Sequence, residues 1–398
     1  MLTREAANAS YHSDQGGRPD GVQVMLNRRH VYVGHMFSDG VTILDAADPR
    51  QLKPAGFFTA GINTRTHHLQ VADDLLLLAN GANIVAMRGY FENALVDSIT
   101  NKKKFRSGLS IHDISKPNEM REIAFLEIPG FGINRLWWTG GRYAYLATHF
   151  DGYTDHILAI VDLQNVTKPE IVSKWWLPGM HRAGGEPSTL ASGKRVALHH
   201  MIVAGDRGYG AWRDGGFTIH DLSDKSKPKL LSHINWSPPY PGGTHTPLPL
   251  PGRNLAVVAD EANAEKCAKG LFHTFIVDVR APENPVPIST LPTPTGRDFC
   301  ATGTFGPHNL HENRPGSFQS EETLFATYNI AGVRVFDIKD QFAPKEIASW
   351  IPPTPRKLID PRPNVSLAAK SADTFVQKDG LIFVSDWNAG LNVLQYEG

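Results

Sequence analysis

One short pattern recurs along this chain and constrains its fold more than any other feature: an apolar strand that ends in Asp and is followed a few residues later by Pro. It occurs as GVTILDAADP (Gly40 to Pro49), GLSIHDISKP (Gly108 to Pro117), ILAIVDLQNVTKP (Ile157 to Pro169) and GFTIHDLSDKSKP (Gly216 to Pro228). It returns as HTFIVDVRAPENP (His273 to Pro285), GVRVFDIKDQFAP (Gly332 to Pro344) and the truncated GLNVLQY (Gly390 to Tyr396), where Gln395 replaces the acid. The acids Asp45, Asp113, Asp162, Asp221, Asp278 and Asp337, then Gln395, are 68, 49, 59, 57, 59 and 58 residues apart. Each interval is long enough for one four-stranded sheet, so the repeat predicts an all-β chain, a seven-bladed β-propeller of antiparallel blades.

The segments around each motif agree. Alternating strands such as HVYVGHM, RYAYLATHF, RVALHHMI, NLAVVADE and LIFVSDW precede it, and PAGFFT or KEIASW follow it; these read as half-buried strands. The Asp and Pro mark the turn after the third strand, where the carboxylate accepts backbone N–H bonds and Pro fixes φ. These acids are expected to be structural. A stacked solenoid is the rival fold, but a repeat that stops at its third strand favours a closed ring, completed by a strand from the arm before Gly21. The whole of 1–398 is then a single domain, with 1–20 as an N-terminal arm.

The strands that end in Val-Asp or Leu-Asp with a following Pro resemble those of the LVIVD-repeat β-propellers, from Gly21 to Tyr396. The resemblance implies fold and not activity, because propellers host many unrelated functions. The last repeat, DTFVQKDGLIFVSDWNAGLNVLQY, and the His-rich innermost strands are also similar to the selenium-binding, methanethiol-oxidase propellers. That likeness implies histidines around a metal and leans toward oxidoreductase chemistry.

Composition excludes some partners. Lys plus Arg equals Asp plus Glu at 40 each, which argues against nucleic acid. The run Lys102-Lys103-Lys104 with Arg106 has no interleaved aromatics and reads as a solvated loop. No apolar run reaches the length of a signal core or a membrane span, so the chain is expected to be cytoplasmic and off the membrane. Cys267 and Cys300 fit reduced thiols at least as well as one bridge.

Long loops crowd one end of the predicted ring, over 80–107, 177–187, 203–215, 236–243, 261–271, 292–306 and 351–372, the usual address of function on a rigid scaffold. On that face THHLQV, GTHTPLPL and GPHNLHE place His67, His245 and His308 at equivalent starts of innermost strands. Asn134, Arg135 and Glu186 fall at the same level, and strand ends add His35, His149, His200, Glu261, Tyr328 and Asp386. His67, His245 and His308 are expected to hold one divalent transition metal ion, Fe, Mn, Zn or Cu, with His200 as fourth ligand. Glu261 is the next candidate ligand and, with Tyr328 and Arg207, a candidate catalytic group. His199 is adjacent to His200 and His68 to His67, and one of each pair is expected to face away, because side chains alternate along a strand.

GDRGYGAWRDGG at 205–216 reads as a mobile lid whose Arg207 and Arg213 pair with a substrate carboxylate. The reading is a metal-dependent enzyme acting on a small organic substrate, leaning oxidoreductase, with hydrolase or lyase chemistry as the alternative. A hydrogen-bonded imidazole ring without metal is the bland alternative. A non-catalytic interaction scaffold is the remaining one, anchored by Trp137, Trp138, Trp175, Trp176, Trp212 and Trp236 unless these pack between blades. Oligomeric state has no signal in the sequence.

Overall fold

The computed structural model describes residues 2–3, 18–83, 104–187, 193–360, 362 and 364–397. Lys102 and Lys103 of the basic run and most of the loop at 80–107 lie outside them. The architecture is all-β, built from antiparallel meanders that run from an innermost to an outermost strand. Gly21–Asn27, His30–His35, Gly40–Asp45 and Lys53–Thr59 make one such sheet. Gly132–Trp137, Tyr143–His149, Ile157–Asp162 and Glu170–Trp175 repeat it within a larger curled sheet. Thr244–Leu250, Leu255–Asp260, Thr274–Asp278 and Val286–Thr290 repeat it within another. Near the C-terminus Ser371–Val376, Leu381–Asp386 and Gly390–Tyr396 are joined by Leu2–Thr3, which pairs with Tyr396 and Gln395. The two ends of the chain also meet where Val24 N–H donates to Asp373 Oδ2 at 3.2 Å and the Ser385 hydroxyl donates to the Val22 carbonyl.

The repeated acid does what its position requires. Asp45, Asp113, Asp162, Asp221, Asp278 and Asp337 each accept, through Oδ1, the N–H two residues on, at 2.8–3.0 Å. The turn into the outer strand is thereby fixed six times over. The glycine that opens the motif has an equally local cause. At Gly332, φ is +72° and a Cβ would lie 2.0 Å from the Trp350 carbonyl oxygen; at Gly216 the values are +83° and 2.3 Å from Ile234 O. The outer strand's carbonyl occupies the space of a side chain, so only glycine fits.

Apolar residues from facing sheets form contiguous clusters, one of them running from Leu77 and Ile133 through Trp137 and Leu146 to Met201 and Trp212. Trp137, Trp138, Trp212 and Trp236 are buried and Trp175 and Trp176 half-buried, so most of the tryptophans are packing residues.

One expectation needs correction, and two open readings are resolved. Residues 207–213 are a strand, Arg207–Arg213, and not a lid; it pairs with Val196–Ala204 on one side and Phe217–Asp221 on the other. RVALHHMI is therefore the innermost strand of its sheet, one place further in than its spacing from Asp221 suggests. Cys267 and Cys300 form a disulfide, with Cα atoms 5.3 Å apart, that ties the 261–271 loop to the 292–306 loop. Arg106 is not a free basic group but a bidentate partner of Glu122, at 2.7 and 2.8 Å.

Candidate metal centre

His245 lies at a register irregularity between Thr244 and Thr246, at the start of its innermost strand. Glu261 directly follows the neighbouring strand Leu255–Asp260, and Thr244 pairs with Asp260, so the loop start is held beside the imidazole. His308 arrives from the next sheet, its N–H bonded to Thr327 O at 2.9 Å. One ligand atom from each of His245, Glu261 and His308 lies within 4.8 Å of the others. His245 Nε2 is 3.6 Å from Glu261 Oε2 and His308 Nε2 is 3.7 Å from Oε1.

The far side of each ring is tied down. His308 Nδ1–H donates to the Ala372 carbonyl at 2.6 Å, and His245 Nδ1–H donates to Thr246 Oγ1 at 2.9 Å, while the Thr246 hydroxyl donates to Asn309 Oδ1 at 3.1 Å. A ring that donates through Nδ1 keeps its lone pair on Nε2, the tautomer a metal requires. Ala372 is free to accept because a second register irregularity, between Ser371 and Asp373, takes it out of the ladder.

Electrostatics keep these donors in binding form. Burial drives His245 well below the usual imidazole range and pulls His308 down to about 4 against the opposing pull of Glu261, so both rings are neutral near pH 7. Burial alone would raise Glu261, but the Arg213 guanidinium and the nearby His308 outweigh it and hold the carboxyl at about 2. Arg213 ion-pairs with Glu261 directly.

The structure brings His245, His308 and Glu261 together and places the other expected residues elsewhere. His200 lies at 6.1 Å between ring centroids from Trp137 and 3.6 Å from Glu312 Oε1, and among the described residues neither of its nitrogens has a hydrogen-bond partner. Its neighbour His199 instead stacks on His245, centroids 3.6 Å apart, and donates from Nδ1 to the His245 carbonyl at 3.2 Å. The cause is a register shift between Val196 and His200, which changes which member of the pair faces the centre. His67 points toward Arg65 and Asn134, whereas His68 continues the row, 6.3 Å from His199 and anchored by Nδ1 to Gln23 Oε1 at 3.3 Å. Strict alternation along a strand assigns both members of each pair to the opposite sides.

Tyr328 is a core residue, packed 5.9 Å from the Phe336 ring in an apolar cluster. Arg207 opens its strand beside the Ala204 turn, at the opposite end of that strand from Arg213. Two rim candidates are structural: His35 is bonded to Asp20 and Thr42 at 3.1 and 2.7 Å, and His149 accepts the Phe131 N–H and donates to the Tyr153 carbonyl.

Curled antiparallel sheets with innermost strands converging on a buried polar centre define a β-propeller. Within that class, residues 200–235 match the LVIVD repeat, the stretch that carries Asp221 and its turn. No curated protein sequence matches the chain. Among solved structures the chain is similar to the computationally designed Ika8 protein, at 10% identity over 96% of this chain and 98% of that one, with a TM-score of 0.50. It is similar to a functionally unknown protein from Desulfotomaculum acetoxidans DSM 771, at 11% identity over 83% and 85%, TM-score 0.53. A chain of the Mitotic Checkpoint Complex is similar at 9% identity over 96% and 93%, TM-score 0.57. At these identities the likeness is one of fold alone.

Proposed function

We propose that the chain is a seven-bladed β-propeller enzyme that uses one divalent transition metal ion, Fe, Mn, Zn or Cu, to transform a small organic substrate. The ion would be held by His245 and His308 through Nε2, with the Glu261 carboxylate beside them and His199 as the nearest further imidazole. The observation that carries this reading is the convergence of two neutral, Nδ1-anchored imidazoles and an ionised carboxylate within 4.8 Å. A hydrogen-bonded ring of histidines around water has no need to fix every tautomer the same way.

Such a metal would supply Lewis acidity or one-electron redox chemistry, and its identity would set the reaction class: redox chemistry for Fe or Cu, hydrolysis or elimination for Zn. The protein's own part is to keep both imidazoles neutral and oriented and to hold Glu261 ionised against Arg213, facing the same centre. The resemblance to metal-bearing propellers leans the reading toward oxidoreductase.

Elemental analysis of tag-free protein prepared without added metal is expected to find about one transition-metal ion per chain. His245→Ala is expected to lose that ion while keeping a cooperative melt close to that of chelator-stripped wild-type protein, because the strand Thr244–Leu250 retains its backbone pairing. Metal-free wild-type protein, persisting after incubation with Fe, Mn, Zn and Cu, overturns the reading; so does full metal content in a folded His245→Ala.

A further inference from the structure

Beside this centre sits a cation that the metal reading does not use. Lys370 immediately precedes the innermost strand Ser371–Val376 and is only 8% exposed. Its ammonium lies 3.9 Å from the centroid of the Trp387 ring, whose other contacts include the His308 imidazole at 6.4 Å between centroids. Its backbone is fixed, with Trp387 N–H donating to the Lys370 carbonyl at 3.0 Å. Among the described residues the ammonium makes no hydrogen bond and no ion pair.

Every charged group that faces it is already engaged. Glu261 is paired with Arg213. Asp360 is held by the Arg362 guanidinium, whose Nε reaches its two oxygens at 2.8 and 3.0 Å. Glu265 accepts the hydroxyls of Thr304 at 3.1 Å and Ser366 at 2.8 Å. Asp386 accepts the backbone N–H groups of Asn388 and Ala389, both at 2.9 Å. A largely buried side chain whose ammonium meets only an aromatic face is poorly compensated for its lost hydration, because a cation–π contact recovers only part of the loss. Burial, with the neighbouring Arg362 guanidinium, draws the amine down to about 8 against the opposing pull of Glu261, Asp360 and Glu265.

We propose that Lys370 binds the carboxylate of a small monocarboxylate substrate and so turns its reacting end toward His245, His308 and Glu261. One ammonium, with Arg213 and Arg362 committed elsewhere, balances one negative charge, which suits a carboxylate better than a phosphate dianion. The assignment rests on the centre being the site of reaction, and it adds the substrate class.

The test compares propionate and benzoate with propionamide and benzamide by titration calorimetry, on wild-type protein and on Lys370→Met, whose side chain keeps an apolar stem over Trp387. Wild-type protein is expected to prefer each acid over its amide, and Lys370→Met to bind the acids about ten-fold or more weakly with amide binding unchanged. Equal acid affinity in the two proteins overturns the assignment. Should Lys370→Met lose its cooperative melt, the wild-type titrations still decide, because absence of an acid-over-amide preference overturns it as well. Metal content of the same preparations reports on the centre separately, so loss of the metal reading and loss of the Lys370 assignment are distinguishable.

Discussion

At the scale of single residues, the buried charges beneath the centre carry more energy than any pair on the surface. Arg135 is fully buried, donates to Asn309 Oδ1 and pairs with Glu312 Oε1 at 2.8 Å; Arg314, also buried, lies 3.5 Å from Glu312 Oε2 and donates to the Trp138 carbonyl at 2.7 Å. Glu312 therefore serves two guanidinium groups. The other acid nearby, Asp373, is pushed by burial up to about 7 and cannot replace it fully at neutral pH. Removing one partner of a buried pair leaves an uncompensated charge, so Glu312→Gln is expected to lower stability by about 3 kcal/mol in urea unfolding. Asp74→Asn, which breaks the 2.7 Å pair with Arg28 where the side chains are 60% and 52% exposed, is expected to cost under about 1 kcal/mol. Equal losses in the two variants would refute this ordering.

At the scale of strands and turns, the glycine before the third strand gives a sharper prediction than the acid after it. Gly332→Ala meets both a φ of +72° and the Trp350 carbonyl at 2.0 Å, and the atom in the way is backbone that cannot swing aside. Gly141, at φ +80°, has open space for 4 Å around the position a Cβ would take, so alanine there meets only the left-handed backbone cost of about 1 kcal/mol. Gly332→Ala is expected to exceed Gly141→Ala by at least about 1–2 kcal/mol in thermal unfolding, the usual cost of overpacking; comparable values would mean that the outer strand relaxes freely. The same contrast shows what the sequence could and could not reveal. The apolar strand, the Asp and Pro of the first six repeats and the Gly that opens five of the seven were legible because their causes are local: a carbonyl across the strand and an amide two residues on. His245 and His308 were legible because they start innermost strands of consecutive sheets, and Glu261 because it directly follows the strand that pairs with His245's own. His199 and His68 were not, because the register shift between Val196 and His200 breaks the period of two on which any choice between adjacent side chains depends. Arg207–Arg213 was hidden for another reason: its glycines and charges resemble a loop, and only pairing with Val196–Ala204 on one side and Phe217–Asp221 on the other makes it a strand.

For the whole molecule, the histidines set the response to acid. Burial pulls His112, His156, His308 and His311 down to about 4 and His220 to about 3, and drives His68, His199, His200 and His245 further below the ordinary value of 6.5. Each is neutral in the fold and takes up a proton on unfolding once the pH drops below about 6.5, so the unfolded state binds more protons and stability falls as the pH is lowered. The loss runs at up to about 1.4 kcal/mol per pH unit for each such ring and continues until its folded value is reached. Asp260 and Asp373, raised by burial to about 8 and about 7, act in the opposite sense, because they stay protonated in the fold while the unfolded chain has released the proton. The imidazoles outnumber these carboxyls even with Asp39 and Asp386, which burial also raises, so the net slope between pH 6.5 and 4 is destabilising toward acid. Urea midpoints measured across that window, on protein stripped of metal by chelator, are expected to fall steeply with decreasing pH; protein reloaded with its metal is expected to hold a higher midpoint near pH 6.5 and to converge on the stripped protein as protons displace the ion. A flat profile in stripped protein would mean that the buried rings exchange protons without opening the fold, and with it the neutral, fixed tautomers on which the metal centre depends would be lost.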